Sequence, residues 1–385
     1  MDYLKIHGDC KEANLFGRYI HLEHIEPVFL TQKRKEKVKI LGYSVQKKPV
    51  YSYQIGRGKT KILIWSQMHG NESTTTKAIF DLFNFLDSES GLQSHLLEKF
   101  SLCFVPILNP DGAKLYTREN ANGIDLNRDA QDLSQPESKI LKQLYEDFNP
   151  DFCYNLHDQR TIYGVGDTNK SATVSFLAPS FDVNRTINAT RNAAINIIVA
   201  MNDVLQKYIP GQIGRYDDGF NINCVGDAFQ YLGTPTVLFE SGHYANDYNR
   251  EETRKYIFIA LLSSLNYLNE NVVVYNKIQD YLNIPQNKSS FFDIVYKNVR
   301  INYDKTKIIT SFAIQFTEEL LNNNIFFNGF IVKIGNLENN FGHLYYDAEF
   351  KSYSDDFNNY PILDQEANFC LDKTIKIKNG VVNNS

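Results

Sequence analysis

The sequence predicts an α/β fold in which a mixed, centrally parallel twisted sheet is covered by helices on both faces, with a small C-terminal β domain. Three observations carry this prediction. Short apolar runs typical of buried strands alternate with segments of helical periodicity up to about residue 270. After about residue 290, short alternating runs separated by Asn- and Gly-rich turns replace that pattern. His69, Asn109, His157 and Glu240 all follow predicted strands, which is where ligands bind in such sheets.

The individual elements follow from the spacing of apolar residues and from turn residues. Residues up to about 35 give mixed signals and predict a short helix or loop. Ser134, with Pro136 and then Glu137 three residues after it, predicts a capping box at a helix start. The predicted strands are 38–43 and 50–55, which form a hairpin, then 62–67, 101–108, 152–156, 175–177 and 235–239. The predicted helices are 72–86, 134–148, 182–205 and 251–268.

The chain of 385 residues exceeds what one hydrophobic core usually serves. We therefore expect a catalytic domain over residues 1–285 and a small accessory β-rich domain over residues 290–385. In the second range, residues 308–316 and 326–334 show the alternation of half-buried strands.

The composition excludes several classes of partner. A formal net charge of −5 offers no basic surface to nucleic acid or an anionic membrane, and no apolar run approaches the length of a membrane span. The first residues lack an apolar stretch after a basic start, so we expect no export signal. The five cysteines are odd in number and form no CxxC pair, which argues against a disulfide framework. We expect buried thiols at Cys103 and Cys153 and a cytoplasmic location.

Two imidazoles and one carboxylate form a candidate metal site. His69 and Glu72 flank a Gly-Asn pair directly after one predicted strand, and His157 closes another. Such a set fills three positions of a tetrahedral zinc ion and leaves the fourth for water, as in catalytic zinc sites. A His-x-x-Glu pair alone also occurs as a helix-start carboxylate near a surface histidine, and the second histidine is what favours a metal. The set predicts one Zn²⁺ per chain and a hydrolytic activity.

Two arginines lie in a segment that consists mostly of turn residues. Arg118 precedes the run at residues 123–128, which reads Gly-Ile-Asp-Leu-Asn-Arg. Arginine suits bidentate recognition of a carboxylate and the support of a developing oxyanion. Solvated surface arginines are the alternative interpretation of these residues taken alone.

Taken in order, these motifs resemble the zinc carboxypeptidases of the M14 family. The resemblance covers roughly residues 50–270 and rests on the following residues: His69-Gly-Asn-Glu72, Asn109-Pro-Asp-Gly112, Arg118, Gly123 through Arg128, His157 and Glu240. It implies the zinc carboxypeptidase-like form of the predicted sheet. It also implies that His69, Glu72 and His157 bind zinc.

The resemblance implies roles for further residues. Glu240 would be the general base, and Arg118 would stabilise the tetrahedral oxyanion. Asn127 and Arg128 would bind the free α-carboxylate of the substrate. Asp125 would accept a hydrogen bond from His69 and so orient it, a role that metal-bound imidazoles usually need filled.

Three more residues near Glu240 have competing interpretations. Tyr216 corresponds to a family tyrosine on a mobile loop, but tyrosine is abundant in this chain and packing is the alternative. Asp227 lies where the family lines its side-chain pocket and could favour a basic or amino-bearing C-terminal residue; a carboxylate at a helix N-terminus is the alternative. His243 is expected not to be a ligand, because a fourth protein ligand would close the position that water needs.

The predicted function is hydrolysis of the C-terminal amide bond of small peptides that carry a free C-terminal carboxylate. A zinc-activated water would attack the carbonyl while Glu240 accepts its proton and passes it to the leaving amine. One alternative is a zinc N-acyl-amino-acid deacylase of the aspartoacylase or succinylglutamate desuccinylase kind, against which the Asn-Pro-Asp-Gly turn and the placement of Arg118 argue. The other is a non-catalytic protein that binds peptide or glycan ends, which the intact ligand set disfavours.

Overall fold

The computed structural model describes residues 1–31, 33–88, 91–270 and 276–383. The chain divides into two units, the first made of residues 1–159 and 172–287 and the second of residues 160–171 and 288–385. Residues 160–171 lie in the second unit, although they fall within the predicted first domain. That residues 1–285 and 290–385 form two separate domains remains a prediction.

The strands and helices have the following bounds. The strands are β1 (Val38–Tyr43), β2 (Pro49–Gly56), β3 (Thr60–Trp65), β4 (Phe100–Val105), β5 (Phe152–Asp158), β6 (Tyr163–Val165), β7 (Val174–Leu177), β8 (Ile213–Arg215), β9 (Thr236–Ser241), β10 (Asn287–Ser289), β11 (Phe291–Ile301), β12 (Ile308–Leu321), β13 (Asn324–Ile334), β14 (Phe341–Asp347), β15 (Tyr353–Ser354), β16 (Phe369–Leu371), β17 (Ile375–Lys378) and β18 (Val381–Val382). The helices are α1 (Tyr3–Cys10), α2 (Leu22–Phe29), α3 (Thr74–Leu86), α4 (Gly91–Lys99), α5 (Pro110–Leu115), α6 (Pro136–Phe148), α7 (Ala189–Leu205), α8 (Val225–Tyr231), α9 (Glu251–Glu270) and α10 (Ile278–Leu282).

An eight-stranded mixed sheet organises the first unit, in the order β1-β2-β4-β3-β5-β9-β7-β8. The central strands β4, β3, β5 and β9 are parallel. The pairs β1 with β2, β2 with β4, and β7 with β9 are antiparallel. The predicted mixed, centrally parallel sheet is therefore confirmed.

Helices cover both faces of this sheet, as predicted. Ile62 and Ile64 of β3 belong to a large core to which α1, α2, α3, α7 and α9 contribute. Leu63 and Trp65 belong to a second core with apolar residues of α6 and α8. Because neighbouring residues of β3 are buried on opposite faces, the strand has a continuous apolar run rather than an alternating one.

Three predicted helices begin later than predicted, and the first of them, predicted from residue 72, begins at Thr74. The helix predicted from residue 134 begins at Pro136, and the Ser134 hydroxyl donates to Asp129 Oδ1 at 2.7 Å instead of capping. Glu137 is buried and accepts from the backbone N of Val45 at 3.1 Å, so the predicted capping box does not form.

The helix predicted from residue 182 begins at Ala189. The Asp182 side chain accepts from two backbone N–H groups of its own loop, those of Asn184 and Thr186, both at 3.0 Å. The Asn188 side chain then caps α7 by accepting from Arg191 N at 3.0 Å. The N-terminal region, for which only a short helix or loop was predicted, forms α1 and α2.

The second unit contains two four-stranded sheets, in the orders β13-β12-β11-β14 and β15-β16-β17-β18. Its core includes Phe312, Ile314 and Phe369. Residues 160–171 join this unit through backbone bonds, since the Ile162 carbonyl accepts from Ser290 N at 3.1 Å and from Phe291 N at 3.0 Å.

The five cysteines are free, and those at Cys103 and Cys153 are buried as predicted. Within the part of the chain that is described, none of the helices has both the length and the apolar character needed to cross a bilayer.

Candidate active site

The order of the central strands creates a crevice at one edge of the sheet. From β3 the chain passes to β4 on one side, and β5 then pairs with β3 on the other side. In an open parallel sheet such a reversal separates the loops that follow the two strands, and ligands bind in the resulting crevice. His69 follows β3, and His157 lies at the carboxyl end of β5.

Two of the sequence motifs pack directly against each other at this edge. A Cβ on Gly70 would lie 1.9 Å from the backbone carbon of Gly112, so only glycine allows this approach. Asn109 joins the same two segments, because its Nδ2 donates to the Met68 carbonyl at 3.2 Å and its Oδ1 accepts from Gly112 N at 2.9 Å. The loop that carries His69 and the loop that begins α5 therefore form one packed unit.

The three predicted zinc ligands converge and are buried. His69 Nδ1 lies 2.8 Å from Glu72 Oε1, His157 Nδ1 lies 2.9 Å from Glu72 Oε2, and the two Nδ1 atoms are 3.1 Å apart. Ligands at 2.0–2.1 Å from one tetrahedral zinc ion lie about 3.3 Å from each other. The donor set and its spacing thus fit zinc, and these are the residues of the described chain that could hold a metal ion.

Asp125 connects the ligand His69 to Arg118. Its Oδ1 accepts from His69 Nε2 at 2.9 Å, which leaves Nδ1 of that ring for a metal. Its Oδ2 accepts from Arg118 Nε at 3.1 Å and Nη2 at 3.0 Å. Arg118 Nη1 lies 3.3 Å from Glu72 Oε1, so the guanidinium group is adjacent to the ligand cluster.

The cluster shifts the pKa of each ligand in a direction set by its partners. Burial raises the pKa of Glu72, but the nearby imidazoles outweigh burial and hold that pKa below its ordinary value. Burial lowers the pKa of His69, and here Glu72 and Asp125 outweigh it and raise the pKa. For His157 burial prevails and its pKa is lowered, which favours the neutral ring that a metal requires.

Glu240 lies beside the ligands because β5 and β9 pair in parallel with His157 opposite Glu240. The side chain is buried, and its Oε2 atom has no hydrogen-bond partner among the described residues. Burial, followed by the charges of Glu72 and Asp158, raises the pKa of Glu240 well above its ordinary value, and Arg118 and Arg250 offset this only in part. A buried carboxylate oxygen without a partner is the group expected to receive a proton.

Asn127 and Arg128 lie in the 3-10 turn that follows Asp125. The Asn127 Oδ1 atom accepts from Val225 N at 3.0 Å, and this bond fixes the orientation of the side-chain amide. The Nδ2 group is the part of Asn127 that can donate to a substrate carboxylate. Arg128 is exposed, and its Nη1 donates to the Asn127 carbonyl at 2.8 Å. The same Nη1 lies 3.2 Å from Cys224 Sγ, directly before α8.

Two predicted substrate-binding residues lie in the segment before Glu240. Asp227 is buried in the first turn of α8, and burial raises its pKa to about 7 although Arg128 acts in the opposite direction. Tyr216 directly follows β8, where its backbone N donates to the Phe176 carbonyl at 2.9 Å. Their roles stay predictions. His243 is buried and does not belong to the three-residue cluster found in the described chain, in agreement with the expectation that it is not a ligand.

Two polar residues near the ligands, Asp158 and Arg250, received no role from the sequence. Asp158 Oδ2 accepts from Thr74 N at 3.1 Å and Thr74 Oγ1 at 2.6 Å, and its backbone N donates to Glu72 Oε2 at 3.1 Å. Arg250 is buried and its guanidinium reaches the same region. The only signal in the sequence was the position of Asp158 directly after His157, and nothing in the sequence singled out Arg250.

Comparisons with known proteins agree with this geometry. Residues 30–171 match the family model described as "Zinc carboxypeptidase", a range that contains the three ligands and Arg118 but not Glu240. Carboxypeptidase 2 of Trichophyton rubrum is 30% identical over 100 residues, which is 26% of this chain and 19% of that protein. Carboxypeptidase SOL1 of Arabidopsis thaliana is 31% identical over 103 residues, 23% of this chain and 21% of that protein.

The fold is shared more widely than the sequence. The structure of a metallo-carboxypeptidase from Burkholderia cenocepacia aligns with a TM-score of 0.51 at 16% identity, over 64% of this chain and 67% of that one. The chain spans about a fifth of the length of the curated relatives it matches. The matched segment, residues 30–171, carries the convergent histidines and glutamate and is similar in sequence to the zinc carboxypeptidases.

Proposed function

We propose that the chain is a zinc-dependent metallocarboxypeptidase that hydrolyses the C-terminal amide bond of small peptides. The observation that carries this proposal is the convergence of two histidines and a glutamate at 2.8–3.1 Å, beside a buried Glu240 and the guanidinium of Arg118. These side chains come from the loop after β3, from the carboxyl ends of β5 and β9, and from the turn before Asp125. Separate elements converge in this way where a site needs fixed geometry.

The residues of the chain divide the reaction among them. Zinc held by His69, Glu72 and His157 would supply Lewis-acid activation of a water molecule and of the scissile carbonyl. Glu240 accepts the proton of the attacking water at Oε2 and transfers it to the leaving amine, which leaves poorly when unprotonated. Arg118 donates to the developing oxyanion, and its bonds to Asp125 and Glu72 hold the guanidinium in a fixed position before the charge develops.

The arrangement also favours cleavage at the end of a peptide. Arg128 is exposed and can bind a carboxylate in bidentate fashion, and the Asn127 amide can add a further donor. An internal peptide bond offers these groups no carboxylate. A small peptide with a free C-terminal carboxylate is therefore the proposed substrate, and a cytoplasmic location stays a prediction from the composition.

Asp227 is proposed to set a preference for a basic C-terminal residue. Burial makes its ionised form unfavourable, as its pKa of about 7 indicates. A substrate ammonium or guanidinium group would relieve that penalty by pairing with the carboxylate. Tyr216 is proposed to contact the substrate from the segment after β8.

A substrate panel tests the proposed function. Purified protein is incubated with peptides that end in Lys, Arg, Phe or Ala, and in parallel with N-acyl amino acids, before and after treatment with a zinc chelator. We expect release of the C-terminal residue, best for Lys and Arg, lost on chelation and restored by zinc. Cleavage of the N-acyl amino acids alone would show the deacylase alternative, and binding of peptide without turnover would show the non-catalytic one.

A further inference from the structure

Arg250 is a buried arginine whose guanidinium joins the ends of the two strands that carry His157 and Glu240. Its Nη1 donates to the Ser241 carbonyl, and its Nη2 donates to the Gln159 carbonyl at 2.5 Å. The Ser241 carbonyl also accepts from Gln159 N at 2.8 Å, so the guanidinium adds to the hydrogen bonds that join β5 and β9 at their carboxyl ends. Ser241 lies one residue after Glu240, and Gln159 lies two residues after His157.

The same guanidinium is adjacent to Asp158, which reaches a third element. Arg250 Nη1 lies 4.0 Å from Asp158 Oδ2. That oxygen accepts from both Thr74 N and Thr74 Oγ1, at the first residue of α3 and two residues after the ligand Glu72. Arg250 and Asp158 thus form a brace that connects the chain after β3, the end of β5 and the end of β9.

The backbone at Arg250 shows that the surrounding structure holds this residue firmly. Its φ is +54°, in the left-handed region that residues with a Cβ adopt unfavourably. The side chain is 2% exposed. An unfavourable backbone conformation persists where neighbouring contacts determine it, and such positions cluster at functional sites.

We propose that Arg250 is a positioning residue that, with Asp158, fixes the distances among Glu72, His157 and Glu240. It does not touch the substrate. It holds the backbone directly after His157 and Glu240 through their neighbouring carbonyls, and with Asp158 it holds the start of α3 directly after Glu72. Loss of Arg250 would therefore loosen the ligand set and misplace Glu240. Outer residues that orient metal ligands typically change metal affinity or activity by about 10–100-fold when removed.

Arg254 provides a matched control, because it is a second fully buried arginine one helical turn further along. It donates to Asp81 Oδ2 at 2.7 Å and to the Leu15 and Glu12 carbonyls at 2.6 and 2.9 Å, and it contacts none of the ligands. Arg250→Met and Arg254→Met both remove a buried cation that binds carbonyl groups. A general loss of stability would affect both variants alike, whereas a positioning role would separate them.

The experiment measures zinc affinity by competition with a fluorescent chelator, and kcat and KM for the best peptide. We expect Arg250→Met to weaken zinc binding by about tenfold or more and to lower kcat with KM within about threefold of wild type. Arg254→Met should lower the unfolding temperature while zinc affinity stays within about twofold. Thr74→Val, which removes only the hydroxyl bond to Asp158, should weaken zinc binding in the same direction if Arg250→Met does not fold.

This inference rests on the proposed function, and its failure is distinguishable from the failure of that function. Zinc affinity is measured without turnover, so it tests the brace even in a protein that cleaves none of the peptides. Equal zinc affinity in wild type and Arg250→Met would overturn the inference. Equal losses in the Arg250 and Arg254 variants, or unchanged zinc affinity in Thr74→Val when Arg250→Met does not fold, would do the same.

Discussion

Two buried clusters of charged residues in the first unit are built in opposite ways. Around Asp81 both carboxylate oxygens are paired, with Arg254 Nε at 2.7 Å, Glu12 N at 2.7 Å and His7 Nε2 at 3.2 Å. At the candidate active site three buried carboxylates, those of Glu72, Asp158 and Glu240, lie near one another.

The difference between the clusters lies in what remains unpaired. Glu240 Oε2 and Asp158 Oδ1 have no hydrogen-bond partner among the described residues, whereas the Asp81 cluster pairs its charges internally. A fully paired cluster stabilises the fold, because breaking it leaves a buried charge unpaired. A cluster with surplus negative charge and unpaired oxygens is instead suited to bind a cation and to transfer protons. The comparison predicts that substitutions in the two clusters have opposite effects on activity and on stability.

The largest expected effect is the loss of turnover in Glu240→Gln. Removing the proton acceptor should lower kcat by about 10²–10⁴-fold, the usual contribution of a general acid–base group. The unfolding temperature should stay the same or rise, because an unfavourable buried carboxylate is removed. Peptide assays, zinc content and thermal unfolding measure these quantities. Glu23→Gln, which alters an exposed pair with Lys114, is the control, and full activity in Glu240→Gln would refute the assignment.

The opposite result is expected for Asp81→Asn. This change removes the fully buried carboxylate partner of Arg254 and leaves it only the part-buried Glu251, so it should lower the free energy of unfolding by about 3–5 kcal/mol. Zinc affinity and the kcat of the folded fraction should remain within about twofold of wild type. Urea unfolding and zinc competition provide the measurements. Asp9→Asn, which alters an exposed pair with Lys5, should have no measurable effect, and a loss of zinc affinity in Asp81→Asn would contradict the division between the clusters.

Asp125→Ala should have an intermediate effect, which is measured at the metal because the variant also loses the two bonds to Arg118 and with them part of the turnover. Without the bond to His69 Nε2 the ring is free to turn and to place its other nitrogen differently, so zinc affinity should fall by about 10–100-fold. Asp125→Asn keeps an acceptor oxygen, so its zinc affinity should lie between those of the wild type and the Ala variant. Competition with a chelator measures the affinities. Equal zinc binding in all three proteins would exclude Asp125 as the orienting residue.

The smallest effect concerns Asp227 and depends on pH. Its pKa of about 7 lies above the ordinary value of 3.8, so the folded protein binds more protons than the unfolded chain between about pH 4 and pH 7, and stability falls as pH rises through that window. Asp227→Asn should therefore be more stable than the wild type at pH 8 and equally stable at pH 4.

The preference for C-terminal Lys over Phe gives a second measurement for Asp227. The ionised carboxylate attracts a cation, so the preference of the wild type should increase from pH 5.5 to pH 8 and be absent in Asp227→Asn. Thermal unfolding and kcat/KM at both pH values test these two expectations. A variant that keeps the preference for Lys would remove Asp227 from the substrate pocket.

The sequence predicted the central strands and the ligand set because both depend on local signals. Residues 62–65 form a fully buried apolar run, and His69 and His157 follow such runs directly. The starts of α6 and α7 were wrong where a side chain bonds elsewhere: Ser134 bonds to Asp129, and Asp182 closes a turn of its own. Where such a helix begins depends on which of several nearby hydrogen-bond partners each polar side chain binds.

Contacts between distant parts of the chain could not be predicted from the sequence. The approach of Gly70 to Gly112 and the reach of Arg250 to Gln159 each join segments that only the fold brings together. Neither residue type carries a signal for such a contact, since glycine and arginine occur widely in loops. The sequence therefore predicted which side chains meet at the crevice, and it left open how they are held.

The insertion of residues 160–171 into the second unit has a consequence for any shortened form of this protein. Proteolysis after residue 287 would leave this segment attached two residues beyond Asp158 while removing Ser290 and Phe291, the partners of its Ile162 carbonyl. A segment with unpaired backbone groups at a strand edge is prone to associate with other chains. The two units are thus interleaved along the polypeptide, and trimming the tail alone would not yield a self-contained catalytic fragment.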